Sequence, residues 1–460
     1  MRWSDMNKKR SCGCVALMIA ASFCTIAVIG FLVWWTSSIR SVARQLPTQR
    51  AAAKRLGLPL TPDELRRHPP VPPARNAAVI WTTILALPPS DWPTNSENDV
   101  LLSIVDLDGS SGDWANAGRI LRKYSKLLRL ANQAAARPEC DFQRKWELFP
   151  LMPLPYASAG RHLTWLLCAD AAVAAKSGDP EHAMRSVATA ARIGRQSGQE
   201  GALIGFLASL TCESIVHRNF VAIVEDHPND PMLLAAARRA DTAFNPPFDL
   251  RTYLQQDLVV TLVLNEQIRN GTHPGGNAPP FVLKPLGLGD DVLADAFESR
   301  QFETWNALFV VLSKGNYDLV EQRRQLTDLS NRKQAAAGLR CMDITYLVSD
   351  MMIPIYSSLS VKLMQNEAER RLRKVMLALF EYRLKHRGFP NALSDLPTPP
   401  PLDPFDNQQL RYKLTPKGFL LYSIGRDFKD DGGKVTPPKG SMVIAYPPVK
   451  PPTRPPRPKA

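Results

Sequence analysis

Residues 11–36, SCGCVALMIAASFCTIAVIGFLVWWT, contain no charged side chain. About 20 consecutive apolar residues cross the hydrocarbon core of a bilayer as a helix, so this run constrains the chain more than any other stretch. Trp34 and Trp35 close it, and amphipathic indoles suit the lipid–water interface. Arg2, Lys8, Lys9 and Arg10 precede it, as in the basic start of an export signal. A cleavable signal has a shorter apolar run, of about 7–15 residues, and a small-x-small site. Here the run is longer, and the small-x-small candidate just beyond it, Ser41-Val42-Ala43, lies behind Arg40. The segment therefore reads as an uncleaved signal anchor, a transmembrane helix in the cytoplasmic (inner) membrane. Residues 1–10 are expected in the cytoplasm and the bulk of the chain outside. Arg40, Arg44 and Arg50 follow closely, so charge supports this orientation modestly, but long downstream domains translocate largely regardless of charge. No lipobox precedes Cys12, Cys14 or Cys24.

At 460 residues the chain exceeds a single compact core. Its 40 prolines cluster at 59–73, 88–93, 246–285, 397–404 and 447–458, which reads as linkers and a tail between folded blocks. The expected division is a linker over 37–75, a helical domain over 76–365, a further module over 366–435 and a Pro-rich basic tail over 436–460. The net charge of +14 is uneven: no acidic residue follows Asp431, whereas Lys434, Lys439, Lys450, Arg454, Arg457 and Lys459 do. Such a tail favours anionic surfaces such as lipid headgroups, envelope polymers or nucleic acid. Composition also fits a solvated, disordered tail, the weightier reading, and no specific nucleic-acid partner is predicted.

From about 76 to 390 the pattern is mainly helical. In RHLTWLLCADAAVAAKSGDPEHAMRSVATAARIGRQSG, Leu163, Leu166/Leu167, Ala171 and Ala174/Ala175 recur at helical spacing. Gly178 ends that helix, Asp179 caps the next and Pro180 suits its first turn. The second helix carries Ala183, Val187, Ala190/Ala191 and Ile193 on its apolar face. A third, EGALIGFLASLTCESIVHRNFVAIV, is apolar nearly all round and is expected to be buried. The pair with its Gly-Asp turn is similar to a tetratricopeptide-like unit, but no 34-residue period runs along the chain, so an irregular helical domain or a short degenerate repeat-like array is expected. Residues 271–300, with GTHPGGNAPP at their centre, read as a long loop. Helical pattern resumes near 300 and ends with NEAERRLRKVMLALFEYRLKHRG. There Ala368, Leu372, Val375/Met376, Leu379 and Tyr382 make the apolar stripe, with Arg370, Arg371, Arg373, Lys374 and Lys385 largely elsewhere on the surface. The fold class is thus mainly α, with an N-terminal transmembrane helix and a small C-terminal α+β module with antiparallel strands.

That module reads as two strands, 409–414 and 419–424, joined by Thr415-Pro416-Lys417-Gly418. The ordered set is helix, Gly-Phe-Pro, Leu-x-x-Leu, Asp-Pro-Phe-Asp, Leu-x-Tyr, Tyr-Ser-Ile-Gly-x-Asp and Asp-Asp-Gly-Gly. Over about 366–433 it resembles the C-terminal module of the major pseudopilin of type II secretion. The resemblance implies a helix followed by a small antiparallel sheet and a loop that can hold calcium. It concerns the module alone: no prepilin-peptidase motif opens residues 11–36, and the membrane helix does not run directly into the module. The whole layout is similar to membrane-anchored bacterial proteins of planctomycete type, in which segments like ARPECDF and GDPEHAMRSVATAARIG precede the same module. That likeness implies no activity.

Calcium takes about six to eight oxygen ligands from carboxylates and backbone carbonyls. Asp427, Asp430 and Asp431 can supply carboxylates, with backbone oxygens near Ser423 and Gly425. Asp427 matches the aspartate of the family's Ser-x-Gly-x-Asp, while Asp430 and Asp431 match its ligand loop less cleanly. Two readings stay open: a structural calcium site, or an acidic turn that closes the sheet, the commoner use of Asp-Gly. DLDGSSGDW at 106–114 reads as a loop. The seven histidines (68, 162, 182, 217, 227, 273 and 386) show no paired ligand spacing, and no nucleophile elbow, phosphate loop or dinucleotide fingerprint occurs. Ser330-Asn331-Arg332-Lys333 lacks the companion motifs of S-x-x-K enzymes. Cys140, Cys168, Cys212 and Cys341 allow three disulfide pairings if exported, though Cys168 and Cys212 sit in apolar helical runs that favour plain packing.

These observations predict a non-enzymatic, single-pass envelope protein acting as an interaction scaffold for an envelope partner. The alternatives are an accessory component of a secretion or pilus-like machine, docking through the C-terminal module, and an exported hydrolase with scattered site residues.

Overall fold

The computed structural model describes residues 3–107, 109–148, 155–199, 201–270, 290–313, 318–340, 344–434 and 442–448. The chain is mostly helical, with an apolar N-terminal helix and a small three-stranded antiparallel sheet near the C-terminus. Among the described residues the helices are α1 (Trp3–Ala43), α2 (Leu46–Arg55), α3 (Pro62–Leu65), α4 (Ala78–Leu85), α5 (Asn95–Val105), α6 (Ser111–Lys123), α7 (Ser125–Ala135) and α8 (Pro155–Lys176). There follow α9 (Pro180–Gly198), α10 (Ala202–Asp226), α11 (Pro231–Asp241), α12 (Leu250–Arg269), α13 (Asp290–Ser313), α14 (Leu319–Arg340) and α15 (Ile344–His386). The strands are β1 (Arg411–Thr415), β2 (Gly418–Ser423) and β3 (Met442–Tyr446). They divide into two compact units, residues 1–60, 261–313 and 328–355, and residues 61–260, 314–327 and 356–460.

In the first unit α1 is long and apolar enough to cross a membrane. Phe23 and Ile26 are 70% and 67% exposed, so the chain itself leaves this part of the helix uncovered. Its last turns behave differently: Ile39 and Val42 are buried against Leu293 and Ala296 of α13. Glu298 of α13 is buried and takes Arg50 of α2 and Arg269 of α12 (3.0 Å), while Asp295 takes the same Arg269 at 2.8 Å. Two stretches differ here from the sequence reading. The stretch 37–75, expected as a linker, holds the end of α1, all of α2 and α3. Pro47 and Pro62 stand in the first turns of α2 and α3, where a missing N–H costs nothing. In the expected loop 271–300, residues 271–289 lie outside the described residues, and α13 begins at Asp290 because Val292, Leu293 and Ala296 find apolar cover.

The second unit is built around α8, α9 and α10. The α8–α9 turn forms as its residues dictate. Gly178 adopts φ +79°, and the Asp179 carboxylate accepts from the His182 amide at 2.9 Å. Small residues then let the helices approach closely. A Cβ on Gly198 would lie 1.6 Å from the Ser209 hydroxyl and 2.6 Å from the Gly205 carbonyl, so α9 and α10 meet backbone to backbone there. Leu163, Leu167, Ala171, Ala190, Ile193, Val216 and Phe220 belong to one continuous core that also takes in Leu372, Met376, Phe380, Phe419 and Ile444. Capping boxes open α5 (Thr94, Glu97) and α6 (Ser110, Asp113), so the loop expected over 106–114 ends at Ser110. Asp106 pairs with Arg218 at 3.0 Å, and Asp108 lies outside the described residues.

The sheet order is β1-β2-β3. Arg411 pairs with Tyr422 and Thr415 with Gly418 across the first hairpin; Phe419 pairs with Tyr446 and Ser423 with Met442 on the other side. Alternation puts Phe419 and Leu421 inward, against Leu372, Val375 and Leu379 on the stripe of α15 expected from its spacing. β3 lies within the stretch 436–460 expected as a tail. Met442-Val-Ile-Ala-Tyr446 is a β-branched and apolar run whose Ile444 is buried in the core. Arg373, expected on the surface of α15, is instead 1% exposed.

Candidate functional site

The acidic loop is a set of turns. Asp427 accepts from the Lys429 amide at 3.2 Å and Asp431 from the Lys434 amide at 3.2 Å. Asp430 accepts from the Gly432 amide (3.0 Å), the Tyr422 hydroxyl (2.9 Å) and Arg411 (3.4 Å). The Gly432 amide, with Tyr422 and Arg411, holds the Asp430 carboxyl below its ordinary range. Among the described residues no group of three or more His, Cys, Asp or Glu side chains is arranged to hold a metal ion. The carboxylate that organises the module is Asp403, from Asp-Pro-Phe-Asp. Fully buried, it accepts from the Ser423 hydroxyl (2.8 Å), the Ile424 amide (3.0 Å), the Phe405 amide (3.0 Å) and Arg411 (3.2 Å). It ties the loop before β1 to the end of β2.

Cys168 and Cys212 are free and buried, and Cys140 is free and half-buried; Cys341 lies outside the described residues. Burial pushes the Cys212 thiol up to about 11, which removes it from nucleophilic use at neutral pH. His182 and Ser186 of α9 both reach Asp170 of α8, at 2.8 and 2.6 Å. A catalytic triad needs the imidazole between the hydroxyl and the carboxylate. Here the carboxylate stands between the other two, so the group fastens α8 to α9.

Chemistry of another kind is concentrated in an open cleft of about 930 Å³ in the second unit. One wall is a face of α9, where Arg192, Arg195, Gln196 and Gln199 follow at the three- and four-residue spacing that stacks side chains on one side of a helix. Arg137, Asp141, Arg144 and Trp146 come from the segment after α7, and Asn245, Phe248, Asp249, Tyr253 and Gln256 from the opposite side. Arg66 and Arg67 complete the rim. Six arginines thus line the cleft with two aspartates. Arg66 pairs with Glu147 and Arg67 with Glu139, both outside the lining.

Behind the α9 wall lies a buried charge network. Arg195 donates to Glu213 (2.7 and 3.0 Å), to the Phe244 carbonyl (2.8 Å) and to the Pro246 carbonyl (2.5 Å), and rests over the Phe248 ring. Arg373 donates to Asp241 at 2.7 Å, lies 3.2 Å from His217 Nδ1, and is stacked on Phe244 with its guanidinium 3.6 Å from the ring centroid. Burial, with Arg373 adding, drives the His217 imidazole well below its ordinary value, so it is neutral. Glu369, next to Ser214 at 3.1 Å, is pushed up to about 7, mainly by burial. This network fixes α10, α11 and α15 together, and through Glu213 it holds Arg195 in one orientation in the cleft.

Cys140 and the segments ARPECDF and GDPEHAMRSVATAARIG, singled out in the sequence, contribute to the cleft, but sequence reading did not mark its arginines and carboxamides as a site. The signal was present in RIGRQSGQ, where a polar stripe faces away from Ala190 and Ile193. The opposite wall, some fifty residues further on, could be matched to it only by folding. No family model, curated protein or solved structure matches the chain.

Proposed function

We propose that the chain is a single-pass protein of a bacterial envelope, anchored in the cytoplasmic membrane, whose extracytoplasmic part is a non-enzymatic interaction scaffold. The observation that carries this reading is the uncovered apolar length of α1, from Phe23 through Ile26 and Ile29 to Trp34, each more than half exposed. Such a surface is costly in water and stable in lipid. The cleft supports binding over catalysis. Arginines and carboxamides orient anions and peptide groups but neither take up nor release protons near neutrality. His217, in the network behind the cleft wall, is 8% exposed and faces a guanidinium.

The test is extraction of native membranes with alkaline carbonate, combined with a C-terminal alkaline phosphatase fusion. Retention in the pellet and an active phosphatase are expected, together with an envelope protein co-purifying by cross-linking. Release by carbonate, or an inactive fusion, would overturn the reading. A second reading, docking in a secretion or pilus-like machine, is favoured by the order of helix α15 then antiparallel sheet, which is the layout the pseudopilin resemblance implies. Capture of secretion components by the full chain, lost on substitution in β1–β3, is its expected signature.

A further inference from the structure

Arg192 and Arg195 stand one turn apart on α9, and Gln199 stands a turn further on. Seven residues of helix span about 10 Å, enough for about three residues of an extended chain at roughly 3.3 Å each. Along that line Arg195 is already immobilised by Glu213 and two carbonyls. Arg192 is exposed and has no acidic partner among the described residues. Among the described residues the Arg137 side chain hydrogen-bonds only the Pro73 carbonyl, at 3.4 Å. The two lining aspartates are turned to their own neighbours: Asp141 accepts from Gln143, and Asp249 from the Arg251 amide and the Thr252 hydroxyl. Among the described residues Arg192 and Arg137 therefore border the cleft without a paired carboxylate.

The rings in the cleft point to the kind of anion. Trp146 and Phe248 are 5% and 7% exposed, Phe142 is tilted against Tyr156 with centroids 4.0 Å apart, and Tyr253 is tilted against Phe206 at 4.8 Å. Trp146 and Phe248 are thus buried and Phe142 and Tyr253 are held by neighbouring rings, which disfavours stacking on a sugar. The arginines are spread along α9 and across to the segment after α7, a layout that suits successive charges on a strand better than one phosphate. Gln199 and Asn245 add carboxamides, which donate to and accept from peptide groups. We propose that this cleft docks an extended acidic polypeptide segment, with Arg192 and Arg137 taking its carboxylates and Gln199 and Asn245 meeting its backbone. The inference rests on the scaffold reading above and names the chemistry of the partner.

The test uses the full chain in nanodiscs of phosphatidylcholine and the fluorescence anisotropy of a labelled Glu-Ala repeat octapeptide. A Gln-Ala octapeptide, oligogalacturonate and inorganic phosphate serve as comparison arms. The acidic peptide is expected to bind, to weaken as salt rises, and to outbind the Gln-Ala peptide by about tenfold or more. Arg192→Glu and Arg137→Glu are each expected to weaken it about tenfold, while Arg129→Glu, exposed on α7 outside the cleft, changes it less than about twofold. Equal binding of both peptides, or indifference to the two cleft substitutions in chains of unchanged circular dichroism, would overturn the proposal. So would displacement by oligogalacturonate or phosphate at lower concentration than by unlabelled acidic peptide, which would assign the cleft to a glycan or a phosphate. If no probe binds while the chain stays in carbonate-washed membranes with its cross-linked partner, the acidic-peptide assignment fails and the scaffold reading stands. Release by carbonate fails the scaffold reading whatever the peptide does.

Discussion

Aspartates of one short module carry very different weight. Asp403 is fully buried and accepts four hydrogen bonds from both sides of the sheet entry, including one from Arg411. Removing it leaves the buried Ser423 hydroxyl and the Phe405 and Ile424 amides without this acceptor, while Arg411 keeps Asp406, so Asp403→Ala is expected to cost about 2–4 kcal/mol in urea unfolding. Asp427, with one turn amide, is expected to change stability by less than about 0.5 kcal/mol on the same substitution. A cost for Asp427→Ala equal to that of Asp403→Ala would refute this ranking. Glu369 gives a pH signature. Its carboxyl is raised from 4.5 to about 7, chiefly by burial, with Ser214 opposing and Glu213 adding. The folded state binds this proton more tightly than the unfolded chain. Its contribution is therefore full below about pH 4.5 and is lost as the pH rises to about 7, a loss of about 3 kcal/mol. His217 acts in the opposite sense: its depressed value means that stability is lost as the pH falls below 6.5. Thermal melts between pH 5 and 7.5 should show a shallower decline in Glu369→Gln than in the native chain, and an unchanged slope would remove Glu369 from the account.

At the scale of elements, α8, α9 and α10 are held by what their glycines lack. Gly198 sits where α9 and α10 touch, so Gly198→Ala forces the two backbones apart and is expected to cost about 2–3 kcal/mol. Gly178, at φ +79° with open space around it, is strained on substitution but clashes with nothing, so Gly178→Ala is expected to cost about 1 kcal/mol. Comparing the two unfolding midpoints checks the order. The same helix α9 shows why one face was legible and the other was not. Its apolar side repeats small residues at helical spacing and announces burial. Its polar side looks like any solvated face until the segments from 137–146 and 245–256 are set against it. Arg373 shows the converse: within RRLRK it reads as one more surface cation, yet Asp241, His217 and Phe244 surround it.

For the molecule as a whole, the proposed location rests on α1, the helix long and apolar enough to cross a membrane. Arginine near the middle of a membrane helix costs about 2.5–3.5 kcal/mol, so Ile26→Arg with Ile29→Arg should move the chain from the carbonate-resistant pellet to the soluble fraction. Retention of that double variant would mean that other parts hold the chain to the membrane. What the sequence by itself determined is local: an uncharged 11–36, the Gly178-Asp179-Pro180 helix turn, the stripe of α15 and the hairpin at Pro416-Lys417. Each follows from spacing and backbone preference within a few turns of chain. Tertiary structure alone decided which charges were buried, that Met442–Tyr446 joins the sheet as β3, that Asp403 rather than Asp427 organises the module, and that six arginines border one cleft. These depend on residues brought together across gaps of many tens of positions, and burial and pairing energies exist only once the core has formed around them.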